Sequence, residues 1–216
     1  MQILVCSAHP DDETLGAGGS LIRWAGEGHE IHWLIATRAW EPQWPRSYLD
    51  AASKQIAAAA ERLGVAHVHR LGFPAAATDT VPQYKLNDEV GAVIRSVAPE
   101  RLLTVWSGDV HADHRAVADA VMVATRPYPG QPVREVLAYE TASSSEWGTA
   151  PFPANVYVDI SRQIDRKLDA LAAYASEAKE PPHPRSLDGV RARAALRGYE
   201  VGTDYAEAFH LIRSIR

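Results

Sequence analysis

The chain has 216 residues and a mass of 23.6 kDa, a length typical of a single domain. Its net charge of −5 argues against a broad basic surface for nucleic acid, and no run approaches the roughly 18 apolar residues of a membrane helix. With one cysteine, Cys6, no internal disulfide can form, so a metal site among the nine histidines would use imidazole and carboxylate. These features favour a soluble cytoplasmic protein.

Apolar runs alternate with helical patterns along the chain and predict its elements in order. Six segments are predicted to be strands, at 3–6, 30–36, 65–71, 102–106, 133–139 and 156–160. Helices are predicted between and after them, at 14–25, 47–63, 87–97, 112–125 and 161–178, and from 188 at least to 197.

This strand–helix alternation predicts an α/β fold, with a Rossmann-like, doubly wound and mainly parallel sheet flanked by helices. The expected strand order 3-2-1-4-5 makes the first and fourth strands neighbours and opens a crevice beyond their C-terminal ends. We expect one domain over residues 1–216, with a helical extension from about residue 161.

Polar side chains follow the two strands that are expected to border this crevice. The first strand is followed by AHPDDE, and the fourth by SGDVHADH. His9 and Asp12 are three residues apart, as are His111 and His114, so each pair projects to one side at the start of a helix. Two imidazoles and one carboxylate suit a divalent cation such as Zn²⁺ and leave a coordination position for water.

A carboxylate that does not bind the metal is available as a general base. Asp11 is adjacent to Asp12 but need not point the same way, so it is the candidate. The same residues also have a structural interpretation, because acidic side chains favour a helix N-terminus and His111 and His114 could be ordinary surface residues. We favour the functional interpretation because both segments fall at the predicted crevice.

With AHPDDE and H-x-D-H after these two strands, the chain resembles the PIG-L/LmbE family of metal-dependent N-deacetylases. The resemblance implies a zinc-dependent hydrolase that removes an acyl group, usually acetyl, from an amino sugar or a related glycoside. It implies that His9, Asp12 and His114 bind the metal. Asp11 would then activate water as the general base, and His111 would stabilise the oxyanion or protonate the leaving amine.

The resemblance also implies that Asp113 orients a neighbouring imidazole. Other positions depart from the family pattern. Many members carry an Arg-x-x-Glu pair on the helix after strand two, where this chain has Ala52 and Gln55, and Arg46 is the candidate replacement for the arginine. Tyr174 stands where members often carry a histidine. These departures concern the substrate and leave the metal site intact.

Five residues in two loops are candidates for substrate binding. Trp40 could stack on a sugar ring, and Arg38 and Arg46 in the same loop could meet a phosphate or carboxylate. In the segment PPHPRS, three prolines would present His183 and Arg185 to a ligand at low entropic cost. Each candidate also has a structural interpretation, as loop packing, a solvated surface arginine or a rigid turn.

Two further patterns are interpreted as structural. The glycines of 16–19 lack the G-x-G-x-x-G spacing of a dinucleotide loop, and the acidic run before them would repel a pyrophosphate, so they predict close helix–sheet packing. His29, His32, His67 and His69 are also expected to be structural, although the last two share one face of a strand.

Several functions stay open on the sequence alone. The leading one is deacetylation of an N-acetyl amino sugar with Zn²⁺, or with another divalent metal such as Fe²⁺. The alternatives are an amidase of a larger sugar–thiol conjugate, an iron oxygenase with a facial triad, and a metal-free nucleotide-binding module. The expected partner is a small amino-sugar molecule, and the resemblance makes a homo-oligomer plausible.

Overall fold

The computed structural model describes residues 1–148, 150–177 and 179–216. Within them, one sheet contains seven strands: β1 (Gln2–Ser7), β2 (Glu30–Arg38), β3 (His67–Pro74), β4 (Arg101–Val105), β5 (Glu135–Tyr139), β6 (Val156–Asp159) and β7 (Ala206–Ser214). The α-helices are α1 (Asp12–Gly26), α2 (Arg46–Leu63), α3 (Gln83–Val97), α4 (Ala112–Ala124), α5 (Ile164–Ala172) and α6 (Leu187–Tyr199). None of the helices described is long and apolar enough to cross a membrane.

The sheet has the strand order β3-β2-β1-β4-β5-β7-β6. Its first five strands in the chain are parallel, which confirms the predicted Rossmann-like α/β fold and the order 3-2-1-4-5. β7 runs antiparallel between β5 and β6. The sheet therefore contains segments from both ends of the chain.

The C-terminal part differs from the predicted helical extension. The helix expected over 161–178 is shorter, since α5 ends at Ala172, and residue 178 lies outside the described residues. After α6 the chain returns to the sheet as β7, which was not predicted. The buried half of β7 contains a charged residue, Glu207, which interrupts the apolar run expected of a buried strand.

Helix α1 lies very close to the sheet because it has glycine where the contacts are tightest. A Cβ at Gly16 would overlap the ring of Tyr139, and one at Gly19 would lie 2.8 Å from Ile160. The close packing predicted for the glycines of 16–19 is therefore confirmed at these two positions. This packing fixes the start of α1 against the C-terminal end of β5.

Strands β1 and β4 are neighbours, and Cys6 lies opposite Thr104, so their C-terminal ends meet at one edge of the sheet. The loop after β1 leads into α1, and the loop after β4 leads into α4. Parallel topology thus brings the two polar segments together, although about a hundred residues separate them in the chain.

Candidate metal centre

The loop after β1 folds its acidic side chains back onto its own backbone. Asp12, the first residue of α1, accepts hydrogen bonds at Oδ2 from the N–H groups of Ala8 (3.0 Å) and His9 (2.8 Å). Asp11 has a φ of 107°, a left-handed conformation that is costly for a residue with a Cβ. The tight loop holds His9, Asp11 and Asp12 at the start of the helix.

His9, Asp12 and His114 form a group in which one ligand atom of each lies within 4.8 Å of the others. His9 Nδ1 lies 3.6 Å from Asp12 Oδ2, and His114 Nε2 lies 3.3 Å from Asp12 Oδ1. Tetrahedral zinc with bonds of about 2.1 Å separates its ligand atoms by about 3.4 Å. The spacing of these side chains is therefore suitable for a bound metal.

Three atoms of this group, Asp12 Oδ1 and both ring nitrogens of His114, are buried without a hydrogen-bond partner among the described residues, and two of them, Asp12 Oδ1 and His114 Nε2, face each other. Burying unpaired polar atoms is costly, so this pair indicates a group that the side chains themselves do not provide. Burial alone would raise the pKa of Asp12, but His114 and His9 outweigh it and hold that pKa well below its usual range. An ionised carboxylate beside two imidazoles fits a divalent cation.

Asp109 contacts the ring nitrogen of His114 that does not face Asp12. Its Oδ2 is 3.2 Å from His114 Nδ1 and accepts hydrogen bonds from the hydroxyls of Ser144 (2.8 Å) and Ser145 (2.6 Å). Burial by itself would lower the pKa of His114, because it disfavours the charged imidazole. The nearby carboxylates outweigh this effect and raise the pKa of His114 to about 10. Sequence reasoning gave Asp109 no role, and its only signal was a carboxylate just before the H-x-D-H motif.

Asp113 contacts His9, the arrangement expected of a carboxylate that orients an imidazole. Its Oδ2 lies 2.8 Å from His9 Nε2 and accepts the N–H of Ala76 (2.7 Å), while Oδ1 accepts the hydroxyl of Thr78 (2.6 Å). Because Asp113 occupies Nε2, the free nitrogen of His9 is Nδ1, which faces Asp12. Ala76 and Thr78 follow β3, and sequence reasoning did not connect that segment with the site.

His111 precedes α4 and presents a neutral ring to the cavity beside the centre. Its Nδ1 accepts the N–H of Asp113 (3.2 Å), so its proton is on Nε2. The centre of its ring lies 4.6 Å from that of His9 and 4.9 Å from that of His114. Burial, followed by these two imidazoles, lowers the pKa of His111 to about 4.

Asp11 is buried and contacts Arg185, with Oδ2 3.1 Å from Nη1 of the guanidinium. Burial raises the pKa of Asp11 to about 7, although Arg185 opposes the rise. Beneath it, Glu13 accepts the N–H of Asp11 (3.2 Å) and the hydroxyl of Tyr174 (2.8 Å). Burial raises the pKa of Glu13 to about 8. Tyr174 therefore supports the loop that carries Asp11.

A cavity of about 1010 Å³ opens beside these residues. Arg38, Trp40, Arg46 and Arg185 all contribute to its wall, and their role in substrate binding stays a prediction. His183 is not among the residues described as lining the cavity. Instead its Nδ1 accepts a hydrogen bond from the backbone N–H of Arg185 (3.1 Å).

The positions of the missing Arg-x-x-Glu pair, Ala52 and Gln55, also line this cavity. Two further lining residues, Tyr48 and Glu177, were not predicted. The hydroxyl of Tyr48 donates to Glu177 (2.8 Å) across 129 positions of the sequence, a separation that no local motif reveals. A phenol and a carboxylate therefore stand on the same wall as the substituted pair.

The model of the PIG-L family, described as GlcNAc-PI de-N-acetylase, matches residues 4–125. The chain belongs to the PIG-L family. The matched segment includes His9, Asp12 and His114, so the whole group with metal-binding spacing lies in the part of the chain that this family shares.

Relatives of this PIG-L chain are deacetylases. It is similar to a probable N-acetyl-alpha-D-glucosaminyl L-malate deacetylase 2 of Bacillus cereus, with 27% identity over 188 residues that cover 82% of the chain and 84% of the relative. It is 33% identical to the uncharacterized deacetylase YaiS of Escherichia coli over 186 residues, which cover 81% and 90% of the two proteins.

Solved structures have the same PIG-L fold. The conserved protein TT1542 from Thermus thermophilus is 28% identical and superposes with a TM-score of 0.81, covering 99% of this chain and 96% of that one. GalB, the 4-carboxy-2-hydroxymuconate hydratase of Pseudomonas putida, has a TM-score of 0.74 at 20% identity, covering 100% and 97%. The similarity to GalB is a similarity of fold alone. The fold therefore does not identify the reaction, which depends on the residues of the site.

Proposed function

We propose that this PIG-L protein is a metal-dependent hydrolase that removes the acetyl group from an N-acetylated amino sugar or glycoside. The observation that carries the proposal is the group of His9, Asp12 and His114, with Asp12 Oδ1 and His114 Nε2 buried and unpartnered among the described residues. Two relatives support the acetyl group and the sugar class by their names, the probable N-acetyl-alpha-D-glucosaminyl L-malate deacetylase of Bacillus cereus and a 1D-myo-inositol 2-acetamido-2-deoxy-alpha-D-glucopyranoside deacetylase of Rhodococcus jostii.

The proposed metal is Zn²⁺, with Fe²⁺ as the alternative. His9 would bind it through Nδ1, His114 through Nε2 and Asp12 through its carboxylate. When bound, the cation supplies Lewis-acid polarisation of the amide carbonyl and makes water more acidic. Three protein ligands leave a coordination position open, as in catalytic rather than structural zinc sites.

Asp11 is the proposed general base. Arg185 holds its Oδ2, which leaves Oδ1 to accept a proton from water as the water oxygen attacks the carbonyl carbon of the acetamide. The positive φ of Asp11 and the hydrogen bond from its N–H to Glu13 fix the carboxylate in one position. A fixed base needs little reorganisation at the moment of proton transfer.

His111 is the residue proposed to stabilise the oxyanion. Because Nδ1 accepts the N–H of Asp113, Nε2–H is free to donate to the negative charge that develops on the carbonyl oxygen. The amine nitrogen must gain a proton as the C–N bond breaks, and Asp11 can return the proton that it took from water, because a neutral His111 that gave up its Nε2–H would be left as an imidazolate. The products are acetate and the free amine.

The cavity bears on the alternatives that the sequence left open. A volume of about 1010 Å³ also admits the larger amide of a sugar–thiol conjugate, so that amidase is the second candidate. Arg38 and Arg46 on its wall favour a substrate with an acidic group. The parallel sheet argues against a β-barrel iron oxygenase, and the buried carboxylates at the start of α1 argue against a pyrophosphate.

The test is the release of acetate from N-acetylglucosamine glycosides with neutral or acidic aglycones. Protein stripped of metal should be inactive, and Zn²⁺ or Fe²⁺ should restore release, fastest with an acidic aglycone. Equal rates for stripped and reloaded protein would contradict the metal-dependent mechanism. Failure of the loaded protein to release acetate from any of these glycosides would contradict the substrate class.

A further inference from the structure

Four polar side chains meet where β2 and β3 begin, at the N-terminal ends of the parallel strands. The proposed catalytic centre lies at the C-terminal ends of the parallel strands. Glu30 and His32 are two residues apart on β2, and His67 and His69 are two residues apart on β3, the edge strand. Parallel pairing places His32 opposite His67. Because residues i and i+2 share a face of a strand, each pair lies on one side of its strand.

The ligand atoms of three of these side chains converge. Glu30 Oε1 lies 3.1 Å from His32 Nε2 and 3.4 Å from His67 Nε2. One atom from each of the three lies within 4.8 Å of the others. These separations are close to the roughly 3.3–3.4 Å expected between ligand atoms around tetrahedral zinc.

His69 fixes the orientation of His32. The Nδ1 of His32 lies 3.2 Å from Nε2 of His69, and the two ring planes are inclined by 14° with their centres 5.5 Å apart, as in an edge-to-edge hydrogen bond between imidazoles. If His32 donates its Nδ1–H to His69, its Nε2 lone pair faces Glu30 and His67. Metal-binding histidines commonly donate their second ring N–H to such an acceptor, which sets the tautomer.

We propose that Glu30, His32 and His67 form a second divalent-metal site that binds Zn²⁺, with His69 as a positioning residue. This site is additional to the proposed catalytic centre and does not depend on it. His32 is 7% exposed, whereas Glu30 and His67 are exposed, so the fourth coordination position faces water. His32 and Arg38, which lines the cavity, are six residues apart on β2, or about 20 Å along the strand.

A zinc ion at this place would connect the edge strand to β2. Within residues 1–148, 150–177 and 179–216, β3 is the end strand of the sheet and pairs with β2, and an edge strand of this kind is prone to fraying. A metal that binds His67 of β3 together with Glu30 and His32 of β2 would oppose fraying at the point where the edge strand begins. The expected consequence is a higher Tm of the zinc-loaded protein than of the variant that lacks these ligands.

The test counts zinc ions per chain after chelation and reloading with Zn²⁺ alone. Glu30→Gln/His67→Gln changes two exposed side chains and should bind one ion fewer than the wild-type protein. His210→Gln, a histidine on β7 outside both clusters, is the control and should bind as many as the wild type. His69→Gln should keep the ion but bind it about 10–100-fold more weakly.

The outcomes separate this site from the catalytic one. If the catalytic centre binds zinc, the counts should be two for the wild type and one for the double variant; if it does not, they should be one and zero. Equal counts for the two proteins would overturn the proposal. Unchanged affinity in His69→Gln would overturn the positioning role alone.

Discussion

Asp11 combines three unfavourable features at one residue. Its φ of 107° is costly for a side chain with a Cβ, its carboxylate is buried, and Asp12 stands next to it. The contacts from Arg185 and Glu13 hold it in place. Strain retained at one residue beside a cavity is characteristic of functional sites, and it agrees with the proposed role as base.

We predict that Asp11→Asn lowers kcat/KM for deacetylation by about 100- to 10,000-fold, because the amide cannot accept the proton from water. Zinc content should be unchanged, since Asp11 is not among the proposed ligands. The measurement is acetate release together with metal analysis on the same preparation. Asp88→Asn, on the exposed face of α3, is the matched control, and full activity of Asp11→Asn would refute the base assignment.

A second prediction concerns Asp109, which lies against His114. Asp109→Asn removes the charge beside His114 Nδ1 and should weaken zinc binding at the catalytic centre by about 10–100-fold. Competition with a chromophoric chelator measures this affinity, and the Glu30→Gln/His67→Gln background leaves only that centre to be counted. An affinity equal to that of the background protein would mean that Asp109 does not act on the metal.

The segments of the site and the contact of Asp113 with an imidazole could be predicted from the sequence, but the other supports of the side chains could not. AHPDDE and H-x-D-H each stand after a strand, and the parallel topology brings them together. Other residues at the site lie on loops and helices whose positions depend on tertiary packing, as for Asp109, Thr78 and Tyr48. His183, by contrast, was a candidate from the sequence but is not among the described residues that line the cavity. Its ring accepts a hydrogen bond from the backbone N–H of Arg185.

At the scale of the elements, α1 depends on glycine for its distance from the sheet. We predict that Gly16→Ala lowers the free energy of unfolding by about 1–3 kcal/mol, because its Cβ would overlap Tyr139 and approach the carbonyl of Glu140 (2.7 Å). Gly26→Ala, at the other end of α1 with no atom within 4 Å of the added carbon, should be neutral or stabilising. Urea unfolding compares the two, and equal losses would contradict the packing explanation.

Strand β7 could not be predicted because tertiary contacts compensate for its buried charge. Lys167 of α5 donates to Glu207 (2.6 Å) and to the carbonyl of Leu15 (2.9 Å). Glu207 also accepts the N–H groups of Gly19 (2.8 Å) and Ser20 (2.7 Å) in α1. One buried ion pair thus links β7, α5 and α1, and no pattern within β7 indicates it.

We predict that Glu207→Gln lowers the free energy of unfolding by about 3–5 kcal/mol, because it leaves the buried Lys167 ammonium without its counter-charge. Adding Lys167→Met to this variant should recover part of the loss. Urea unfolding provides the measurement, and Asp165→Asn, which removes the exposed partner of Arg191, should change stability by no more than about 1 kcal/mol. A similar small change in Glu207→Gln would contradict the linking role.

At the scale of the whole molecule, the two ends of the parallel strands carry different chemistry. The C-terminal ends of β1 and β4 hold the proposed catalytic centre, as the topology of doubly wound sheets predicts. The N-terminal ends of β2 and β3 hold the second histidine cluster. From the sequence, the histidines of this cluster were expected to be structural, because the strand register that places His32 opposite His67 cannot be obtained from either strand alone.

The most direct test of the proposed function follows the rate of acetate release against the number of zinc ions bound per chain, in the Glu30→Gln/His67→Gln variant. We predict that the rate rises from zero in proportion to occupancy and stops rising at one ion. Asp11→Asn in the same background should bind that ion without gaining activity. Acetate release at zero occupancy, or an equal rate with and without the Asp11 carboxylate, would contradict a metal-dependent deacetylase.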